Sequence, residues 1–185
     1  MLNLFFNTFT SLFEAFTIVW KEDGSNLWIQ RVFLSDNDQK SEDKALKLYK
    51  NIKLGSHSQI TTLGKKIQQF FKGVIVEFDL DWLDFKSCSE TQKKVLIAEY
   101  KIPRGWVSTY KRIAIEIGMV NGGRVIGNAL AKNPLPILIP CHRAIKSNGE
   151  LGGYQGGVEM KQKLLEMEGI KFTSKGKVLT DKVYY

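Results

Sequence analysis

Cysteine is scarce: the 185-residue chain has two, Cys88 and Cys141, far apart and in unlike surroundings. This excludes a disulfide framework and any CxxC metal knuckle, and it fits a reducing, intracellular compartment. Long apolar runs are missing as well. The first thirteen residues carry no charge, but Asn3, Asn7 and several Thr and Ser interrupt them, no basic stretch precedes them, and the run is too short to span a bilayer. Neither a signal peptide nor a membrane anchor is expected. There are no internal repeats, low-complexity tracts or long linkers. Of only four prolines, three fall within Pro134–Pro140.

What is present is an ordinary globular composition, 43% hydrophobic and 25% charged, sufficient to bury a core. The formal charge of +8 favours a polyanionic partner, because excess Lys and Arg attract phosphate irrespective of sequence. Basic charge alone does not assign nucleic acid.

Two parts are expected, an N-terminal scaffold over 1–88 and a second domain over 89–185. In the first, Phe16–Trp20 and Leu27–Leu34 read as strands around a turn at Asp23-Gly24-Ser25-Asn26, with a loop longer than two residues. Ser41–Ile52, with Ser41 as N-cap and Leu46, Leu48 and Ile52 as its apolar set, and Ile60–Phe71 read as amphipathic helices packed on the sheet. His57 is a loop residue between serines, and Cys88 an inert, partly buried thiol; this half carries no cluster of chemistry. In the second part, Ser89-Glu90-Thr91-Gln92 caps a helix to Tyr100, which Pro103-Arg104-Gly105 breaks.

Helices over Thr109–Ile117 and Arg124–Lys132, joined by a turn at Gly118 and Val120-Asn121-Gly122, form a helix-turn-helix pattern, weak evidence by itself. The second helix opens Gly122-Gly123-Arg124 and continues with Gly127 and Ala129. A face bare but for one arginine suits backbone approach to a minor groove. Close packing of helix on helix also wants Gly and Ala, and that reading stays open.

The densest signal is Asn133-Pro134-Leu135-Pro136-Ile137-Leu138-Ile139-Pro140-Cys141-His142-Arg143. Its prolines forbid a regular helix, so the run is expected to be buried, extended and rigid, delivering Cys141 to one place. Beside His142 and Arg143 the thiol sits in an electropositive setting that predicts a lowered pKa. A buried core thiol is the plain alternative for Cys141 alone. Downstream, Gly149–Gly157 packs five glycines around Tyr154, a loop suited to close approach with an aromatic to stack on a flat ligand. A helix follows over Val158–Met167, with Met160, Leu164, Leu165 and Met167 as its apolar set. Glu168 at its end offers His142 an orienting carboxylate, a Cys, His, Glu arrangement, or is an ordinary solvated helix end.

Pro140-Cys141-His142-Arg143, preceded by Asn133-Pro134 and an Ile/Leu/Pro run and followed by Gly152-Gly153-Tyr154-Gln155-Gly156-Gly157, resembles the O6-alkylguanine-DNA alkyltransferases over about residues 90–169. The resemblance implies a ribonuclease-H-like α/β N-terminal domain and a mainly α C-terminal domain with a helix-turn-helix. It implies a minor-groove DNA binder, acting as a monomer in the cytoplasm without cofactor, that rotates the damaged nucleotide out of the stack. Arg124 matches the arginine that fills the gap, with Gly122 and Gly123 at the groove. Tyr110 matches the tyrosine that helps rotate the nucleotide and contacts the guanine. Asn133, Pro136, Tyr154 and Gln155 fall at the base pocket. Cys141, His142 and Glu168 match a relay in which water links imidazole to thiol, and the thiolate takes the alkyl group from O6-alkylguanine once and irreversibly, with O4-alkylthymine as a second candidate substrate. Some members hold a structural zinc. Outside the cysteine motif only Cys88 and His57 are available here, so no metal is expected. The rivals are a non-catalytic alkyltransferase-like lesion binder, which Cys141 argues against, a transcriptional sensor, for which there is little room, and a cysteine hydrolase, which has no need of Arg124 on a bare helix.

Overall fold

Aromatic and β-branched residues crowd the first thirty-four positions, and they form three consecutive antiparallel strands, β1 (Asn3–Phe9), β2 (Phe16–Asp23) and β3 (Asn26–Leu34). The computed structural model describes residues 3–24 and 26–185. It divides into two compact units, one of 1–85 with 134–138, the other of 86–133 with 139–185. Residues 134–138, assigned from sequence to the C-terminal half, are thus part of the first unit. The Val32 N–H donates to the Pro134 carbonyl there at 2.8 Å.

In the first unit, Phe16 to Trp20 is fully buried on both faces, which explains why this part of β2 reads as an apolar run broken only by Thr17 rather than as an alternation. A short strand, β4 (Lys53–Leu54), lies parallel to β1 on its other side, giving the order β3-β2-β1-β4. The β2 and β3 strands pair as far as Asp23↔Asn26, leaving two positions between them, fewer than expected; Ser25, part of that expected turn, lies outside the described residues. Between β3 and β4 comes α1 (Ser41–Leu48), whose buried residues are Ser41 and Ala45. Ser41 is its first helical residue, not its cap, and its hydroxyl accepts a hydrogen bond from Thr17 at 2.9 Å. Leu46 and Leu48, expected to pack inward, are exposed. The second helix, α2 (Ser58–Phe71), buries Ile60, Leu63, Ile67, Phe70 and Phe71 on one face, the set its periodicity predicted. His57 is its N-cap, accepting the Gln59 N–H.

The second unit begins with α3 (Glu90–Tyr100), capped by the Ser89 hydroxyl accepting from Gln92 N–H. Then come β5 (Ser108–Thr109), α4 (Tyr110–Glu116), α5 (Gly123–Ala131), β6 (Ala144–Ile145) and α6 (Gly157–Met167). The strands β5 and β6 pair in parallel. Thr109 caps α4, and Gly118 at φ 77° ends it in the left-handed conformation that glycine tolerates. A buried cluster of Val107, Ile145, Leu151, Leu165 and Ile170 ties strand, loop and helix together. The C-terminal segment packs back on this unit: β7 (Lys171–Phe172) and β8 (Val178–Leu179) form a hairpin, Val183 bridges Val107, and the Tyr185 hydroxyl donates to the Ala98 carbonyl at 2.8 Å.

The proline-rich run is buried as expected, but it is not extended throughout. It turns at Ile137-Leu138, and Ile137 takes a φ of 73°. A β-branched residue there is strained and persists only because its surroundings determine it.

Candidate active site

Cys141 begins a single 3-10 turn, Cys141–Arg143, that leaves the proline run directly. It lines a cavity of about 430 Å³ together with Tyr110, Gly127, Gly152, Gly153 and Tyr154. Only 5% of the residue is exposed. Asn133, fully buried after α5, donates from Nδ2 to the Cys141 Sγ at 3.1 Å and to the Ile139 carbonyl at 3.3 Å, while its own carbonyl accepts from Gln155 Nε2. Asn133 therefore joins the end of α5 to the cysteine turn and to the glycine loop.

The expectation of a lowered thiol pKa is overturned. Burial pushes Cys141 up to about 12, and the Asn133 hydrogen bond and the charge of Lys161 offset only part of this. The neighbouring cation does not serve the thiol, because Arg143 turns to Glu168. Its Nε donates to Oε2 at 2.9 Å and its Nη2 to Oε1 at 2.7 Å, and Nη1 donates to the Ile102 carbonyl at 2.6 Å. This fork-on-fork pairing suits guanidinium and carboxylate geometry.

Glu168 is the hinge of the arrangement. It caps the C-terminus of α6, is buried rather than solvated, and meets His142 Nε2 at 3.0 Å. Burial would raise its pKa, but His142 and Arg143 together hold it well below the usual carboxylate range. An ionised carboxylate only accepts, so His142 donates from Nε2, which makes Nδ1 the basic nitrogen of the neutral ring. Burial lowers the His142 pKa, against the pull of Glu168, so neutrality is its resting state.

Tyr110, the first residue of α4, has its hydroxyl where a Cβ on Gly152 would stand 2.5 Å away. Gly152 also sits at φ 72°, so the glycine is required there twice over. Tyr154 stands edge-on to the His142 ring, with its hydroxyl buried and without a hydrogen-bond partner among the described residues. Arg124 is exposed near the start of α5. Gly122 is not on an open face: it is buried, and a Cβ would lie 2.9 Å from the Met119 Cβ and 3.2 Å from that of Ala114. Helix packing, the alternative kept open from sequence, explains Gly122. At Gly123 a Cβ would meet only ordinary contacts, and at Gly127 open space. Pro136 is buried within the first unit.

Two buried ionisable side chains of this unit escaped the sequence reading. Lys161 on α6 is fully buried, donating to the Ala144 carbonyl at 2.7 Å and the Leu151 carbonyl at 2.6 Å, with its ammonium 5.9 Å from the centre of the Tyr110 ring. Glu99 on α3 is fully buried as well. Periodicity was the available signal: Lys161 stands three and four residues before Leu164 and Leu165, and Glu99 four and three after Val95 and Leu96.

Residues 90–170 match the sequence profile of the 6-O-methylguanine DNA methyltransferase DNA-binding domain. The chain is 48% identical over 111 residues to the methylated-DNA–protein-cysteine methyltransferase of Methanothermobacter thermautotrophicus, covering 60% of this chain and 62% of that protein. It is 41% identical over 116 residues to the namesake from Metallosphaera sedula, covering 63% of this chain and 72% of that protein. The aligned part thus spans less than two thirds of the Methanothermobacter relative. In three dimensions the chain is similar to the Mycobacterium tuberculosis OGT solved in complex with DNA, with a TM-score of 0.71 and 27% identity over 89% of this chain and 92% of that one. From the cysteine motif, the buried His142–Glu168–Arg143 hydrogen-bond chain behind it and these likenesses together, the chain belongs to the methylated-DNA–protein-cysteine methyltransferase family.

Proposed function

We propose that the protein repairs double-stranded DNA by moving an alkyl group from O6-alkylguanine, with O4-alkylthymine as a second candidate substrate, to Cys141 in one irreversible step. The observation that carries this reading is Cys141 on the wall of a cavity of about 430 Å³ with the His142–Glu168–Arg143 chain buried in the same unit. That volume falls in the usual range for small-ligand sites and suits one base turned out of the helix.

The thiol proton passes to the imidazole of His142, which the ionised Glu168 steadies as it becomes positive. The sulfur electron pair forms the bond to the alkyl carbon while the carbon–O6 bond breaks and its electrons return to the guanine. A ring nitrogen of the guanine takes up a proton, for which the Tyr110 hydroxyl is the donor at hand. Displacement at saturated carbon calls for a soft nucleophile, and the resulting thioether does not hydrolyse.

For DNA, α4 and α5 act as a helix-turn-helix laid in the minor groove, with exposed Arg124 filling the place of the extruded nucleotide. The first unit is ribonuclease-H-like: three antiparallel strands, a helix, and a fourth strand parallel to the first support that assignment. The protein acts as a monomer in the cytoplasm; among the described residues no helix is long and apolar enough to cross a membrane.

Stoichiometry tests the reading. Titrating a duplex containing O6-methylguanine with protein is expected to remove one methyl group per molecule and then stop. Continued turnover, or none at all, contradicts it.

A further inference from the structure

The proposed transfer makes no use of Glu99, although a buried carboxylate is among the costlier groups a protein can hold. The residue has no exposed surface, and among the described residues neither carboxylate oxygen has a partner in full hydrogen-bonding geometry, the Ala144 N–H being the nearest backbone donor to act on it. Charged and titratable groups act on it electrostatically from several of the elements around it. These are Lys161 from α6, Arg143 and Cys141 from the 3-10 turn, Tyr110 from α4 and Tyr185 from the C-terminus, with the Ala144 N–H nearby.

Among these cations, Arg143 is already committed to Glu168 through two hydrogen bonds. Lys161 is different. It meets no carboxylate among the described residues, and its Nζ donates to three carbonyls, Ala144 at 2.7 Å, Leu151 at 2.6 Å and Gly153 at 3.4 Å. Three acceptors match the three N–H groups of an ammonium, whereas a neutral amine has only two to give. When charged, this ammonium acts electrostatically on two groups that become anions, the Glu99 carboxyl and the Cys141 thiol.

We propose that Glu99 is a positioning residue for alkyl transfer: it keeps its proton at neutral pH, leaving the Lys161 ammonium to stabilise the Cys141 thiolate, and once ionised it competes with the thiolate for that charge. Burial pushes Glu99 up to about 8, so its protonated form predominates at pH 7. Burial also draws Lys161 down to about 8, which the test must separate from Glu99. Below the ionisation of Glu99, thiolate grows with pH as for any acid. Above it, the first proton lost belongs to Glu99, and the thiolate fraction stops growing.

The inference rests on the alkyl-transfer reading for its biological meaning, but the thiol's reactivity can be followed without DNA. The rate of iodoacetamide addition at Cys141, mapped by peptide mass, would be measured against pH for the full chain and for Glu99→Gln. The parallel assay is single-turnover demethylation of an O6-methylguanine duplex. Wild type is expected to level off near pH 8, and Glu99→Gln to keep climbing, about tenfold faster one pH unit beyond the break. If both level off together, Lys161 is the titrating group and the proposal is overturned; a variant slower than wild type throughout overturns it too. Should Glu99→Gln not fold, the infrared carbonyl band of a protonated carboxyl in wild type decides: present at pH 7 and lost near pH 8 supports the proposal, absent at pH 7 refutes it. Diverging iodoacetamide profiles with no demethylation by either protein would overturn the repair reading and leave the role of Glu99 standing.

Discussion

Glu168 concentrates the chemistry of the site, since it steadies His142 and anchors Arg143 at once. Glu168→Gln keeps the shape but leaves the Arg143 guanidinium buried without its counter-charge, an effect of about 3–5 kcal/mol when such a pair is broken. In the proposed mechanism the same change weakens His142 as the base for the thiol proton, so the single-turnover rate should fall by about 10²–10⁴-fold. The pH dependence has a definite sign. The folded pKa of Glu168 is depressed, so its stabilising contribution is present above the ordinary carboxylate value of 4.5 and is lost as the pH falls below it. Thermal melts across that acid range should show a steeper loss for wild type than for Glu168→Gln; parallel curves would contradict the assignment. At this scale the sequence was informative where a residue type is rare. Cys141, His142 and Tyr154 stood out because thiols, imidazoles and glycine-flanked aromatics have few reasons to be where they are, whereas Asn133 was marked only by the resemblance to the family. The lowered thiol pKa was misread because adjacency in the chain says nothing of direction: Arg143 points at Glu168, and burial then governs the sulfur. Lys161 and Glu99 were passed over because charged side chains are ordinarily assigned to the solvated face of a helix.

Among the elements, the α4–α5 pair shows how two glycines in one helix serve different ends. Gly122 is held between Ala114 and Met119, whereas Gly127 has open space on the cavity side. Gly122→Ala should therefore destabilise the protein by forcing α4 and α5 apart. Gly127→Ala should stabilise it by about 1 kcal/mol, the usual gain from replacing a mid-helix glycine, while slowing transfer of bulky alkyl groups more than methyl. Melting temperatures and single-turnover rates with methyl and benzyl lesions would check both; a destabilised Gly127→Ala would contradict this division of roles. The helices themselves were legible, since caps at Ser89 and Thr109 and the face of α2 carry local signals. The exposed Leu46 and Leu48 of α1 were not, because eight residues give too short a run for periodicity to choose a face. Likewise the turn at Ile137-Leu138 leaves no mark in a sequence whose prolines suggest only extension, and a β-branched residue at positive φ is the last one a turn rule would select.

Across the whole molecule, the excess of 27 Lys and Arg over 19 Asp and Glu is the property most directly tied to a polyanion. Binding to undamaged duplex should weaken steeply with salt, with a log–log slope near −0.9 for each phosphate neutralised, whereas iodoacetamide addition to Cys141 should be almost indifferent to salt. Fluorescence anisotropy at several salt concentrations measures the first, and a flat response there would remove charge as the source of affinity. The change of texture near residue 89 gave no sign that 134–138 belong to the first unit, because that membership depends on a backbone pairing to Val32 about a hundred residues away.

The central claim, that Cys141 itself receives the alkyl group, is tested most directly by the intact mass of the protein after incubation with duplex DNA containing O6-methylguanine, wild type beside Cys141→Ala. The account predicts a single added methyl in wild type, mapped to Cys141, and none in the variant. An unchanged wild-type mass with DNA binding retained, or a methyl group found on another residue, would contradict it.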